Sequence, residues 1–193
     1  MAFNINDFYG ALQYGGARPS LFECNVVWPN GTLPDLNFLC RAAQIPAATV
    51  NVVEQTYFGR ALKFAGNRSF EDWNVTIIND EDYKVRDGFE KWSDGLNGFE
   101  SNVRRANLLS TNQYKGTGTI IHYGKTGSPI RTYEIRGLLP AQVAAMQMDW
   151  STDEIQTFDV TFAMDYWVAL PTGAQISSTA ATEQQVFSDQ AGG

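Results

Sequence analysis

From Ile155 to Val168 the chain alternates with a period of two. Phe158, Val160, Phe162, Met164 and Tyr166 fall on one side, and Thr157, Asp159, Thr161, Ala163 and Asp165 on the other. Successive strand side chains point to opposite faces, so this is a strand with one face in a core and the other outside it. Helical periodicity would scatter the same residues around an axis. The run is far longer than the usual strand of about five or six residues, long enough to leave its own domain and join a shared sheet.

The same alternation recurs elsewhere. Phe22, Cys24, Val26 and Trp28 alternate with Glu23 and Asn25, and after the turn chemistry of Pro29-Asn30-Gly31-Thr32 the phase resumes at Leu36, Phe38, Cys40 and Ala42. These two segments are expected to form an antiparallel hairpin with Cys24 and Cys40 as packed free thiols. Trp73, Val75 and Ile77 mark another strand, and Gly116–Tyr123 and Ile130–Leu139 two more, joined by the turn residues 124–129. Between Thr49 and Phe64 the pattern is different. Val50, Val52, Val53, Tyr57, Phe58, Leu62 and Phe64 place apolar side chains on both faces. A hairpin apolar on two sides has to be covered on two sides, and a neighbouring subunit can supply the second cover.

One helix interrupts the strands. Its start is expected at Asn79-Asp80, where a capping side chain precedes Glu81 and Asp82. Val85, Phe89, Trp92, Leu96 and Phe99 then recur at spacings of three and four, giving one apolar stripe. A shorter helix is expected over 4–13, with Phe8 and Leu12 on one side. The domain boundaries follow: residues 1–168 form one mainly β (α+β) domain, and 169–193 a C-terminal extension. Beyond Pro171 the residues are mostly Ala, Ser, Thr, Gln and Gly, too polar to make a core. A contact with another subunit, another ring or an outer sheath is expected to hold them.

Charge narrows the function classes. The net charge is −7, and after Arg136 there is no Lys or Arg, so Asp149, Asp153, Glu154, Asp159, Asp165, Glu183 and Asp189 carry the whole imbalance. Such a surface repels phosphate and lacks the basic footprint of a nucleic-acid binder, although it permits nucleic acid to pass nearby. The apolar runs fall far short of the roughly 20 residues of a membrane helix. Met1–Tyr9 lacks the basic and apolar regions of a secretory signal, which implies folding in a reducing cytosol.

Recognisable catalytic chemistry is missing from the pattern. Gly124-Lys125-Thr126 lacks the upstream glycine of a phosphate loop and reads as a turn. His122 is the only histidine and stands without Cys or His at ligand spacing, so no metal and no cofactor are expected. The pairs Asp153-Glu154 and Asp159-Asp165 could serve a glycosidase, but strand-face acids are more often solvated. A monomeric β-barrel with an apolar ligand remains an alternative that would also explain the aromatic content.

Four blocks then carry a specific resemblance. Ala17-Arg18-Pro19-Ser20-Leu21-Phe22, the segment Phe64-Ala65-Gly66-Asn67-Arg68-Ser69-Phe70-Glu71-Asp72-Trp73, Ile135-Arg136-Gly137-Leu138-Leu139-Pro140, and Glu154–Thr161 through Asp165-Tyr166-Trp167 occur in this order. Together they resemble the tail tube proteins of contractile-tailed, T4-type bacteriophages. The segment 101–113 and the residues past Trp167 do not match that pattern. The resemblance implies two packed antiparallel β-sheets in a sandwich or barrel with one flanking helix. It further implies hexameric rings whose strands join into a ring-shaped inner barrel, and which stack into a tube within a contractile sheath. Tube proteins of type VI secretion systems and tailocins share that architecture and are the alternative within the class.

From this resemblance follow a structural, non-enzymatic role and a location in the virion after assembly in the host cytoplasm. The expected partners are further copies of the chain, sheath protein, baseplate, tail terminator, tape measure protein and then double-stranded DNA; none is a membrane. Val52, Tyr57, Phe58 and Leu62 are the expected inter-subunit contacts. Asp159 and Asp165, then Asp149, Asp153 and Glu154, are the expected lumen-facing acids, since carboxylates on a channel wall repel a passing duplex.

Overall fold

The alternating segments become strands wherever their apolar phase can meet another sheet. A computed structural model describes residues 5–12, 15–28, 31–33, 36–151 and 153–170. In chain order the elements are α1 (Ile5–Ala11), β1 (Phe22–Trp28), β2 (Gly31–Thr32), α2 (Leu36–Leu39), β3 (Cys40–Ala43), β4 (Ala48–Tyr57) and β5 (Arg60–Phe70). They continue with β6 (Trp73–Ile78), α3 (Lys84–Leu96), α4 (Thr111–Tyr114), β7 (Gly116–Tyr123), β8 (Pro129–Val143), β9 (Thr157–Ala163) and β10 (Tyr166–Leu170).

Every strand pairing is antiparallel, and β8 belongs to two sheets. Along its first part it lies between β7 and β10, with β1 and β2 beyond β7; along its last part it pairs with β9, followed by β6 and β3. The change of sheet occurs at Gly137, whose φ of 72° lies in the left-handed region and where a Cβ would overlap the Asp165 carboxylate. Only glycine combines that backbone angle with so close a neighbour. Strands that switch sheets at a bend make the corners of packed sheets.

The inner faces of the two sheets meet in a single core with α3 laid on it. Cys24, Val26, Ile120 and Ile135 come from one sheet, and Trp73, Val75, Ile77, Phe158, Val160 and Phe162 from the other. From α3, Val85, Phe89 and Trp92 complete the core. Trp73 stacks on Phe162 at 5.3 Å between ring centroids, Trp92 on Trp28 at 5.5 Å, and the Trp92 indole N–H donates to the Tyr114 carbonyl at 2.9 Å. The buried indole thus packs on both sides and keeps its polar atom bonded.

Three local expectations need correction. Leu36–Leu39 turns helical and buries Leu36, and β3 then pairs with β6 rather than with β1. The shared phase of the two segments reflects a shared core, not a shared hairpin. Cys24 and Cys40 nonetheless lie together as free thiols; the hydrogen bond between them and burial push the Cys24 thiol far above its usual range.

The main helix starts at Lys84. The Asp80 carboxylate accepts from the Glu81 amide at 2.9 Å and the Asp80 carbonyl from the Tyr83 amide at 3.0 Å, so a separate turn uses the groups expected to cap it. Tyr83, at φ 52°, breaks the register, and Phe99 falls beyond the C-terminus, exposed.

The segment 155–168 is not one uninterrupted strand. β9 and β10 follow β8 in succession, but pairing lapses at Met164-Asp165, opposite the Gly137 corner. The phase slips there: Trp167 packs against the core, while Tyr166 lies beside Arg136 and Val168 is half exposed.

Candidate assembly surface

β4 and β5 form a two-stranded sheet of their own. They pair from Ala48↔Phe70 to Tyr57↔Arg60 with one irregularity between Val50 and Val52, and Phe58-Gly59 closes the turn with φ values of 45° and 79°. Two successive positive φ angles are those of the tight hairpin turn whose twist matches its strands. Phe58 is a bulky residue held in a conformation that usually goes to Asn or Gly, and its side chain is 89% exposed.

The register sorts the side chains into two faces. Val53 opposite Phe64, Gln55 opposite Leu62 and Tyr57 opposite Arg60 share one face; Val52 opposite Ala65, Glu54 opposite Lys63 and Thr56 opposite Ala61 share the other. Val50, Val52, Val53, Tyr57, Phe58, Leu62 and Phe64 are all exposed. Of the four expected contact residues, Tyr57 and Leu62 therefore lie together, Val52 lies behind them, and Phe58 stands at the tip against Tyr57, ring to edge at 4.5 Å. Sequence reasoning left Val53 and Phe64 out of that set. Their membership follows from the cross-strand pairing, which needs the turn to be located first.

The five acids do not form one row. Asp159 lies on the outer face of β9, where Thr76 donates to it at 2.6 Å and Thr161 donates to Asn74 at 2.7 Å. Asp165 sits in the corner and is held by Lys115 Nζ at 2.6 Å. The slip at Met164-Asp165 removes it from the strand that carries Asp159. Asp149 accepts from the Ser151 amide and hydroxyl at 2.9 and 2.7 Å, which lowers its pKa below the ordinary carboxylate value. Asp153 and Glu154 are exposed in the same loop, alongside Met148, Trp150 and Ile155, also exposed. The aromatic and aliphatic content of this loop is a second apolar surface that the acid-based reading passed over.

Among the described residues no three His, Cys, Asp or Glu side chains could share a metal ion. The His122 ring instead bonds to the Arg18 carbonyl at 2.7 Å. Among the same residues no helix is long and apolar enough to cross a membrane.

The family model for phage tail tube protein matches residues 14–170. This chain belongs to the phage tail tube protein family. The tail tube protein of Enterobacteria phage T4 is 32% identical over 166 residues, covering 84% of this chain and 98% of that protein. Among solved structures, a chain of the anti-feeding prophage baseplate superposes with a TM-score of 0.61 at 11% identity, covering 82% of this chain and 98% of that one. A chain of the extended sheath–tube complex of an extracellular contractile injection system gives 0.55 at 14% identity, covering 88% and 99%. The two-sheet fold is therefore that of tail tube proteins. The family assignment covers the hairpin, the corner at Gly137 and both sheets, and it ends where β10 ends.

Proposed function

We propose that this chain is the repeating subunit of the inner tube of a contractile phage tail. Six copies form a ring, and rings stack into a conduit that holds the tape measure protein and later passes double-stranded DNA. The observation that carries this reading is the β4–β5 hairpin: a two-stranded sheet whose apolar side chains from Val50 to Phe64 are exposed on both faces among the described residues. An isolated two-stranded hairpin is marginal in water. An adjacent subunit covers it, and ring closure removes the strand edges that would otherwise aggregate.

Phage relatives at 32% identity support a tail over a secretion apparatus. The fold shared with a chain of a sheath–tube complex and with chains of baseplate and terminator structures supports a sheath outside, a baseplate at one end and a terminator at the other. On this reading the protein works without catalysis, in the virion, after assembly in the host cytoplasm. Asp159 is the foremost candidate for the channel wall, on a face otherwise made of short polar side chains. Asp165, neutralised by Lys115, contributes less repulsion, and Asp149, Asp153 and Glu154 extend the acidic surface along the loop.

The test is Phe58→Asp. Purified protein should remain a folded monomer by circular dichroism and show neither rings nor tubes in negative stain, where the unaltered chain shows both. Undiminished tube formation by the variant would overturn the hairpin contact, and an unaltered chain that forms neither rings nor tubes would overturn the reading. For the channel wall, Asp159→Lys should leave tubes intact and slow DNA ejection more at low salt than at high salt, since an added cation attracts the passing backbone. Ejection at the normal rate would place Asp159 outside the lumen.

A further inference from the structure

A groove of about 790 Å³ opens between α1 and the turn joining β7 to β8. Leu12, Leu21, Tyr123 and Ile130 give it an apolar floor, and Arg18 and Lys125 stand on its wall. Neither base forms an ion pair among the described side chains. The groove is thus a basic, apolar site, unlike the acidic surface that the C-terminal half of the sequence leads one to expect.

Residues 171–193 supply the complementary chemistry. They contain no Lys or Arg, and Phe187 is their only aromatic, preceded by Val186 and flanked by Glu183 and Asp189. The last described strand ends close to the groove. β10 runs antiparallel to β8 and ends with Leu170 opposite Thr132, two residues along β8 from Ile130 at the groove. The family match also ends at residue 170. Residues 171–193 lie beyond the matched family region and follow directly on a residue close to the groove.

We propose that the C-terminal segment of this chain docks in the groove of its own domain. Val186 and Phe187 enter the apolar floor, and Glu183 and Asp189 meet Arg18 and Lys125. The stretch between Leu170 and Phe187 can span on the order of 50 Å when extended, so the connection imposes no strain. Tethering gives the segment an effective concentration on the order of millimolar at the groove, above that of any other copy in dilute solution. The sequence alone pointed to another subunit, another ring or an outer sheath as the partner of this segment; the nearness of Leu170 to the groove favours the chain's own domain.

Hydrogen exchange on the dilute full-length chain tests this directly, against a chain ending at Leu170 and a Phe187→Ser variant. Amides of Gly10–Leu12 and Tyr123–Ile130 should exchange about tenfold faster in both variants, with β6 and β9 unchanged. A peptide of residues 180–193 added to the truncated chain should restore the protection, and Lys125→Glu should weaken that restoration. Unchanged exchange after truncation overturns the proposal. So does protection that appears only in assembled tubes, which would give the groove to a neighbouring copy, or a uniform loss across the domain, which would mean the segment supports the fold rather than fills the groove.

Discussion

β6 with β9 and β4 with β5 are both antiparallel pairs rich in β-branched and aromatic residues, yet their surroundings are opposite. In the first pair Trp73, Val75, Ile77, Phe158, Val160 and Phe162 all point inward and are buried, while Asn74, Thr76, Asp159 and Thr161 face out and bond one another. In the second, apolar residues occupy both faces and those from Val50 to Phe64 are all exposed, with Phe70 at its base packing on Trp167. A strict period of two serves a sheet with one core; a broken one serves a sheet that has to be covered twice. On the proposed function, the first pair folds the subunit and the second joins subunits.

The sharpest way to break the comparison is to cut into the core. Trp92→Ala removes a ring packed on Trp28 and Phe162 and should cost about 3–5 kcal/mol in denaturant unfolding. A loss below about 1 kcal/mol would mean that the core does not depend on α3. Next is the corner. Gly137→Ala forces an L residue to φ 72° against the Asp165 carboxylate, with an expected cost of about 2 kcal/mol. Adding Asp165→Ala should recover only part of it, because the backbone strain remains. Full recovery would show that crowding alone requires the glycine.

The smallest effects on the monomer belong to the hairpin. Val53→Ser with Phe64→Ser on one face, or Val52→Ser on the other, should change unfolding free energy by no more than about 0.5 kcal/mol. Assembly, followed by sedimentation, should fall with the first pair and less with the second, whose face also carries the Glu54–Lys63 ion pair. Equal losses would mean both faces are covered to the same extent. A large stability loss from either would return the hairpin to the core.

Much of this was legible in the sequence, because alternation reports directly on faces. The strands around Trp73 and Phe158, the stripe Val85-Phe89-Trp92 and the anomalous hairpin could all be read from spacing. The features that escaped depend on pairing between distant segments. Nothing near Cys40 in the chain says that its strand partner is Ile77 rather than a residue of β1. The slip at Asp165 is set by Gly137, far away in sequence. Val53 and Phe64 joined Tyr57 and Leu62 only once the register was known. The stretch 171–193, assigned to an extension by composition, lies outside the described residues.

The sharing of β8 between two sheets also decides how the subunit bears load. Among the described residues, a tensile force entering through β1 and leaving through β3 crosses from one sheet to the other along two neighbouring chain segments, β8 through Gly137 and β9–β10 through Met164-Asp165. Within each sheet, force along the strands shears many backbone bonds at once, which is stiff. At the corner the same force meets only these two backbone crossings, the Gly137 bend lying against Asp165 and its partner Lys115. The subunit is therefore stiffest along either sheet and gives first at the corner where the two crossings lie side by side.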